Sequence, residues 1–134
     1  MTVETGTAGT AARIITEKDT ALAVGSGSLA VCATPVLSAV MEAAAVNALD
    51  GRLPDTETTV GISLALTHSA PTLTGRTITA TAVLTRTEGR RFFFRITARD
   101  DAGEVGTADH VRCLVEAAPF MEKAGRRYRK HEDR

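Results

Sequence analysis

The spacing of hydrophobic residues changes once along the chain, from a nearly unbroken apolar stretch to strict alternation. After Thr34-Pro35, the segment Val36 to Leu49 is apolar except at Ser38, Glu42 and Asn47. Thr at an N-cap accepts a hydrogen bond from the first turn, and Pro at the first helical position needs no donor. Gly51 supplies a stop. The pattern therefore predicts a helix from Thr34 to about Asp50-Gly51. Being apolar on nearly every side, it should be buried on nearly every side. Beyond it the period becomes two. Val60 to Leu66 reads as one strand, ending at Thr67-His68. From Thr77 to Thr87, Ile78, Ala80, Ala82 and Leu84 alternate with Thr77, Thr79, Thr81 and Thr85. After the turn Glu88-Gly89, Phe92, Phe94, Ile96 and Ala98 point opposite to Arg91, Arg95, Thr97 and Arg99. A second turn, Asp100 to Gly103, leads into a last long strand from Val105 to Glu116. Alternating strands joined by short glycine-containing turns predict an antiparallel meander with one buried face.

Earlier segments are less patterned. Met1 to about Thr10 is small and polar, and reads as a frayed terminus. Ile14-Ile15-Thr16 starts a short strand, followed by Glu17-Lys18-Asp19. Val24-Gly25-Ser26-Gly27-Ser28 reads as a flexible loop. A phosphate-cradling loop would need a GxxxxGK segment between strand and helix, which does not surround it. The tail Arg126 to Arg134 carries mixed charge and reads as solvated, with anion binding as the sharper alternative.

One apolar helix and one antiparallel sheet pack most simply when the sheet curls around the helix, an α+β arrangement. The sheet covers only part of such a helix, so a second copy of the chain is expected over the remainder and over any free sheet edge. A homodimer follows, with a tetramer as its extension.

Composition narrows the function classes. The 134 residues fit one domain, 1–134, with a core at about 12–117. Aromatics make up only 4%, so the core must come from Val, Leu, Ile and Ala. Sixteen basic residues balance sixteen acidic ones, which leaves no global field for nucleic acid or an anionic membrane. No apolar run approaches the ~20 residues that span a bilayer. The start, MTVETGTAGT, lacks the basic and apolar regions of a secretory signal, so a cytoplasmic location is expected. Cys32 and Cys113 have no clustered spacing; both are expected to be buried free thiols, with no metal site.

The candidate chemistry starts at Glu42. An ionised carboxylate in an apolar helix costs several kcal/mol to bury unpaired, so it needs a partner, a raised pKa or a solvent cleft. The bland alternative is that it reaches solvent at the helix edge. His68 stands where Pro71 ends a strand, and a His near a carboxylate suits acid–base work near neutral pH. Thr34 offers a hydroxyl, although capping alone would explain it. Gly61, in mid-strand, permits close approach of a ligand or backbone. His110 and Arg112 share one face of the last strand, and a buried Arg112 would need a partner or an anionic ligand. From the residues alone these justify a candidate active site and no more.

A resemblance sharpens this. Asp19-Thr20-Ala21, Val24 to Gly27 and Ala33-Thr34-Pro35 through Met41-Glu42-Ala43-Ala44 resemble the fluoroacetyl-CoA thioesterase-like branch of the hot-dog superfamily. The likeness continues through Thr59-Val60-Gly61, Thr67-His68-Ser69-Ala70, Glu88-Gly89-Arg90-Arg91 and Gly106 to Arg112, covering roughly residues 12 to 117. It implies a hot-dog fold, a homodimer, and hydrolysis of an acyl-CoA with no cofactor beyond the CoA of the substrate. It places catalytic roles on Thr34, Glu42 and His68, puts Gly61 beside the acyl group, and gives Arg112, with His110 beside it, a role in holding the site or the substrate. The relative that gives the branch its name works under a lid with bulky aromatics. Here Gly25-Ser26-Gly27-Ser28-Leu29 has none, which implies a different acyl group. Arg90, Arg91 and the basic tail are candidate contacts for the phosphates of CoA. Two other readings use the same scaffold: an acyl-CoA hydratase or dehydratase, and a non-catalytic acyl-binding module in which Glu42 and His68 are merely paired.

Overall fold

The computed structural model describes residues 3–132. The chain forms β1 (Ala8–Ile14), a 3-10 turn (Glu17–Asp19), α1 (Ala21–Val24), α2 (Thr34–Ala48), β2 (Glu57–His68), β3 (Thr77–Glu88), β4 (Arg91–Asp100), β5 (Gly103–Glu116) and α3 (Ala117–Glu132). Among the described residues, five strands make one antiparallel sheet in the order β1-β3-β4-β5-β2. The sheet packs around α2, which is the expected hot-dog arrangement. The alternation read from the sequence decides which side faces the helix. Ile78, Ala80, Ala82 and Leu84 of β3 and Phe92, Phe94, Ile96 and Ala98 of β4 are all buried, against Leu37, Val40, Met41, Ala44 and Ala45 of α2. Each large apolar side chain so buried contributes about 1.5–3 kcal/mol.

Two elements, β1 and α3, differ from the sequence expectations. The segment read as a frayed terminus contains the start of β1, which pairs with β3 from Ala8↔Val83 to Ile14↔Thr77. Met1 and Thr2 lie outside the described residues. Ile14 is the end of this strand and not the start of another. No hydrophobic alternation marks β1 because it is held by its backbone ladder and by close approach to α2. A Cβ on Gly9 would collide with the backbone of Ala44 and Ala48, and Asn47 Nδ2 donates to the Thr10 carbonyl at 2.7 Å. The mixed-charge tail is largely helical in α3, an amphipathic helix that leaves Met121 and Tyr128 exposed; Asp133 and Arg134 lie outside the described residues.

Helix α2 itself is buried on one face only. Ala39, Val46 and Asn47 are exposed, and Val36, Ser38, Glu42 and Ala43 are half-buried. Strand β2 is an edge strand, pairing with β5 alone, and Ile62 on it is 46% exposed. These are the surfaces that a second copy was expected to cover. No described helix is long and apolar enough to cross a membrane. Of the two thiols, Cys32 is buried as expected, but Cys113 is only half-buried because it sits near the end of β5, under α3.

Candidate active site

Thr34 is the first residue of α2, and the N-cap is Ala33, with no side-chain cap. The expected capping role for Thr34 is therefore not the one the structure gives it. The Val36 and Leu37 amides both donate to the Ala33 carbonyl, so the Thr34 hydroxyl is left free of the helix end. It lies 2.9 Å from Nδ1 of His68, the last residue of β2. His68 Nε2 is buried and has no hydrogen-bond partner among the described residues. Thr34 and His68 line a recess of about 300 Å³, with Ala21, Ser26, Val31, Cys32 and Ser69 to Pro71 around them. Burial lowers the His68 pKa, with the Ala70 carbonyl opposing it, so the ring is neutral near pH 7. Either neutral tautomer leaves Nε2 with an unmet capacity: a proton to give if the Thr34 hydroxyl donates to Nδ1, a lone pair if Nδ1 donates to Thr34.

Glu42 belongs to a second cluster. Its side chain is 43% exposed, and Oε2 accepts from Arg112 Nη1 at 3.3 Å and lies 3.9 Å from His110 Nε2. Arg112 is almost fully buried, and an unpaired guanidinium there would cost several kcal/mol. Three further contacts offset that cost. Arg112 Nε donates to Thr59 Oγ1 at 2.9 Å, Nη2 donates to the Thr59 carbonyl at 3.1 Å, and Nη1 lies 3.2 Å from His110 Nε2. His110 Nδ1 lies 2.7 Å from the Ser63 carbonyl, which can only accept. The proton therefore sits on Nδ1, and Nε2 is free to accept from Arg112. Burial lowers the His110 pKa, with smaller effects from the Ser63 carbonyl, Arg112 and Glu42, in keeping with a neutral ring. Burial also pulls Arg112 down from its usual value, while Glu42 pulls it back up.

Gly61 explains how the carboxylate fits. A Cβ on Gly61 would come within 2.5 Å of Glu42 Oε2 and 3.3 Å of both Arg112 Nη1 and His110 Cε1. The register of β2 on β5 also shifts between Gly61 and Ser63, which turns the Ser63 carbonyl to His110. The six residues singled out in the sequence thus fall into two groups, Thr34 with His68 and Glu42 with Gly61, His110 and Arg112. Within one chain no hydrogen bond joins the groups among the described residues. Eight residues separate Thr34 from Glu42, about 12 Å along the helix axis. Thr59, the principal anchor of Arg112, was not singled out, because a threonine on an alternating strand carries no signal of its own.

The chain is similar to proteins of known activity. The family model described as fluoroacetyl-CoA-specific thioesterase matches residues 15–118. A fluoroacetyl-CoA thioesterase of Streptantibioticus cattleyicolor is 37% identical over 93 residues, 69% of this chain and 67% of that protein. The crystal structure of a phenylalanine-to-alanine mutant of the fluoroacetyl-CoA-specific thioesterase FlK, in complex with fluoroacetate and CoA, matches with a TM-score of 0.82 and 29% identity. It covers 88% of this chain and 99% of that one. A thioesterase-superfamily protein of Thermus thermophilus matches with a TM-score of 0.91, covering 99% of this chain and 98% of its own, but at 21% identity it speaks to fold alone. On the extent of the family match and the identity of the curated relative, this chain belongs to the fluoroacetyl-CoA-specific thioesterase family.

Proposed function

We propose that the protein is a single-domain, cytoplasmic acyl-CoA thioesterase that hydrolyses a thioester to free acid and CoA, using Thr34, Glu42 and His68 and no separate cofactor. The observation that carries this reading is the pair at the start of α2: a hydroxyl freed from capping, bonded to a neutral histidine whose other nitrogen is buried and unpartnered. That pair, with an anchored carboxylate elsewhere on the same helix, supplies the groups that acyl transfer needs. Glu42 acts on the carbonyl carbon either directly, forming a mixed anhydride, or through a water that it deprotonates. The C–O bond forms, the C–S bond breaks, and CoA leaves as a thiolate; His68, neutral at rest, passes on to it a proton from the water that is consumed, taken up by Glu42 in the water route and released on cleavage of the anhydride in the direct route. In the direct route, water then cleaves the anhydride and restores Glu42. The Thr34 hydroxyl and the positive end of α2 stabilise the developing oxyanion.

The two groups meet at one carbonyl if the enzyme is a homodimer in which Glu42 of one copy faces Thr34 and His68 of the other. The ~12 Å between Thr34 and Glu42 on one helix supports this arrangement, as do the open face of α2 and the free edge of β2. The loop after α1 has no aromatic residue, and Leu22 and Leu29 near it are exposed, which favours an acyl group other than fluoroacetyl.

Two experiments test the proposal. In a thiol-release assay over acyl-CoAs from acetyl to long-chain and aromatic, release is expected with at least one member. Loss of an enoyl absorbance without thiol release would instead support the hydratase reading. For the shared site, Glu42→Gln and His68→Ala are each expected to be nearly inactive alone. After mixing and subunit exchange, roughly a quarter of wild-type activity should return, since half the dimers are mixed and each has one intact site. No recovery despite proven exchange would place the residues of each site on one chain.

A further inference from the structure

Among the described residues, five polar side chains are buried: Asp19, Thr20, Thr72, His110 and Arg112. His110 and Arg112 belong to the Glu42 cluster. The other three belong to neither catalytic group, yet all sit on the segments that lead to Thr34 and away from His68. Both oxygens of the Asp19 carboxylate are met. Arg13 of β1 donates from Nη2 to Oδ1 at 2.7 Å and from Nε to Oδ2 at 3.3 Å. The Thr16 amide and hydroxyl donate to Oδ2 at 3.0 and 3.2 Å. The Asp19 carbonyl accepts from the amide of Ala33, the N-cap of α2 and the residue before Thr34, at 2.9 Å. The next residue, Thr20, pairs with Cys32 through an isolated antiparallel bridge.

The His68 side is held in the same way. Thr72, four residues after His68, donates its hydroxyl to Oδ2 of Asp100, the last residue of β4, at 2.8 Å. Its carbonyl accepts from the Cys32 amide at 2.8 Å. The two segments are thus joined to each other from Cys32 to Thr72. Each is also pinned to the sheet through one carboxylate, Asp19 to Arg13 of β1 and Thr72 to Asp100 of β4. A buried polar group is costly unless bonded, so each pin has one favoured geometry. Thr34 starts a helix and His68 ends a strand, so their 2.9 Å contact is only as well defined as these pins. We propose that Asp19 and Thr72 are positioning residues for the Thr34–His68 pair, holding hydroxyl and ring at bonding distance through the backbone of Cys32 and Ala33. The proposal deepens the thioesterase reading and rests on it for the importance of that pair.

The test compares Asp19→Asn, Thr72→Val and Thr72→Ser with wild type. Asparagine cannot accept on both sides as the carboxylate does, valine keeps the shape of Thr72 without its hydroxyl, and serine keeps the hydroxyl. Side-chain nitrogen NMR of His68 and His110 across pH is read beside steady-state kinetics on the best acyl-CoA, below the melting temperature of each variant. Asp19→Asn and Thr72→Val should let water reach the His68 ring. Its titration should then move up toward the ordinary histidine value, because burial is what holds it down. His110, bonded to Ser63 and Arg112, should titrate as in wild type. In both variants kcat should fall about tenfold, less than the hundredfold that a displacement of about 1 Å can cost. Thr72→Ser should recover both readings. Should Asp19→Asn not fold, Arg13→Gln, at a side chain that is half-exposed, loosens the same pin with less risk to the fold. A wild-type His68 titration or a wild-type kcat in either folded variant would overturn the proposal. Equal movement of His68 and His110 would also overturn it, as the mark of a general loosening. The two readings fail separately. A shift confined to His68 in a chain that hydrolyses no acyl-CoA would keep the positioning role and remove the thioesterase. Hydrolysis at the wild-type rate with His68 unmoved would do the reverse.

Discussion

Glu42→Gln should lower kcat for thioester hydrolysis by about a thousandfold, within the range that positioned acid–base groups contribute. The substitution keeps the size of the side chain and one oxygen that can accept from Arg112. It removes the charge, and with it both the nucleophile and the base. The fold should survive. Glu42 is 43% exposed, so its pairing with Arg112 is partly screened, and Arg112 keeps both contacts to Thr59. The loss of stability should therefore stay below about 2 kcal/mol, against the larger cost of breaking a fully buried pair. Steady-state kinetics beside a thermal melt reads both quantities. A variant that melts early and loses activity in proportion would point to a structural role for the carboxylate.

Gly61→Ala should also lower kcat, although it alters no reacting group. Its Cβ would stand 2.5 Å from Glu42 Oε2, closer than real Cβ contacts come, so the carboxylate must move. The atom displaced is the far end of a flexible side chain. The expected cost therefore falls on positioning and not on folding. A shift of about 1 Å at a reacting group is enough to cost about a hundredfold in kcat. Wild-type kcat in folded Gly61→Ala would mean that the carboxylate has no defined position to lose, and that the missing side chain serves something else.

Much of this was legible because two physical signals dominate the chain. Period-two alternation in β3 and β4 marked the buried face residue by residue, since a side chain on a sheet has only two directions. The caution about a carboxylate in an apolar helix and an arginine on an inward face was also legible, because unpaired buried charge is costly wherever it falls. Sequence could not say that these two would meet each other: Arg112 and Glu42 lie 70 positions apart and are joined by the wrap of β5 and β2 around α2. The misses have equally local causes. β1 is held by its backbone ladder and the bare surface of Gly9, neither of which leaves a hydrophobic pattern. In α3, Pro119 stands in the first turn and Gly125 interrupts the charged stretch, yet the segment is helical all the same. Thr34 fitted a capping pattern, yet its hydroxyl turns to His68, a partner 34 residues away that no local rule could supply.

The most direct measurement is thiol release from the best acyl-CoA of the panel, with wild type and Glu42→Gln run side by side and each shown to be folded. Release by wild type, lost in the variant, is the predicted result. Release at the same rate by both would contradict a thioesterase built on Glu42.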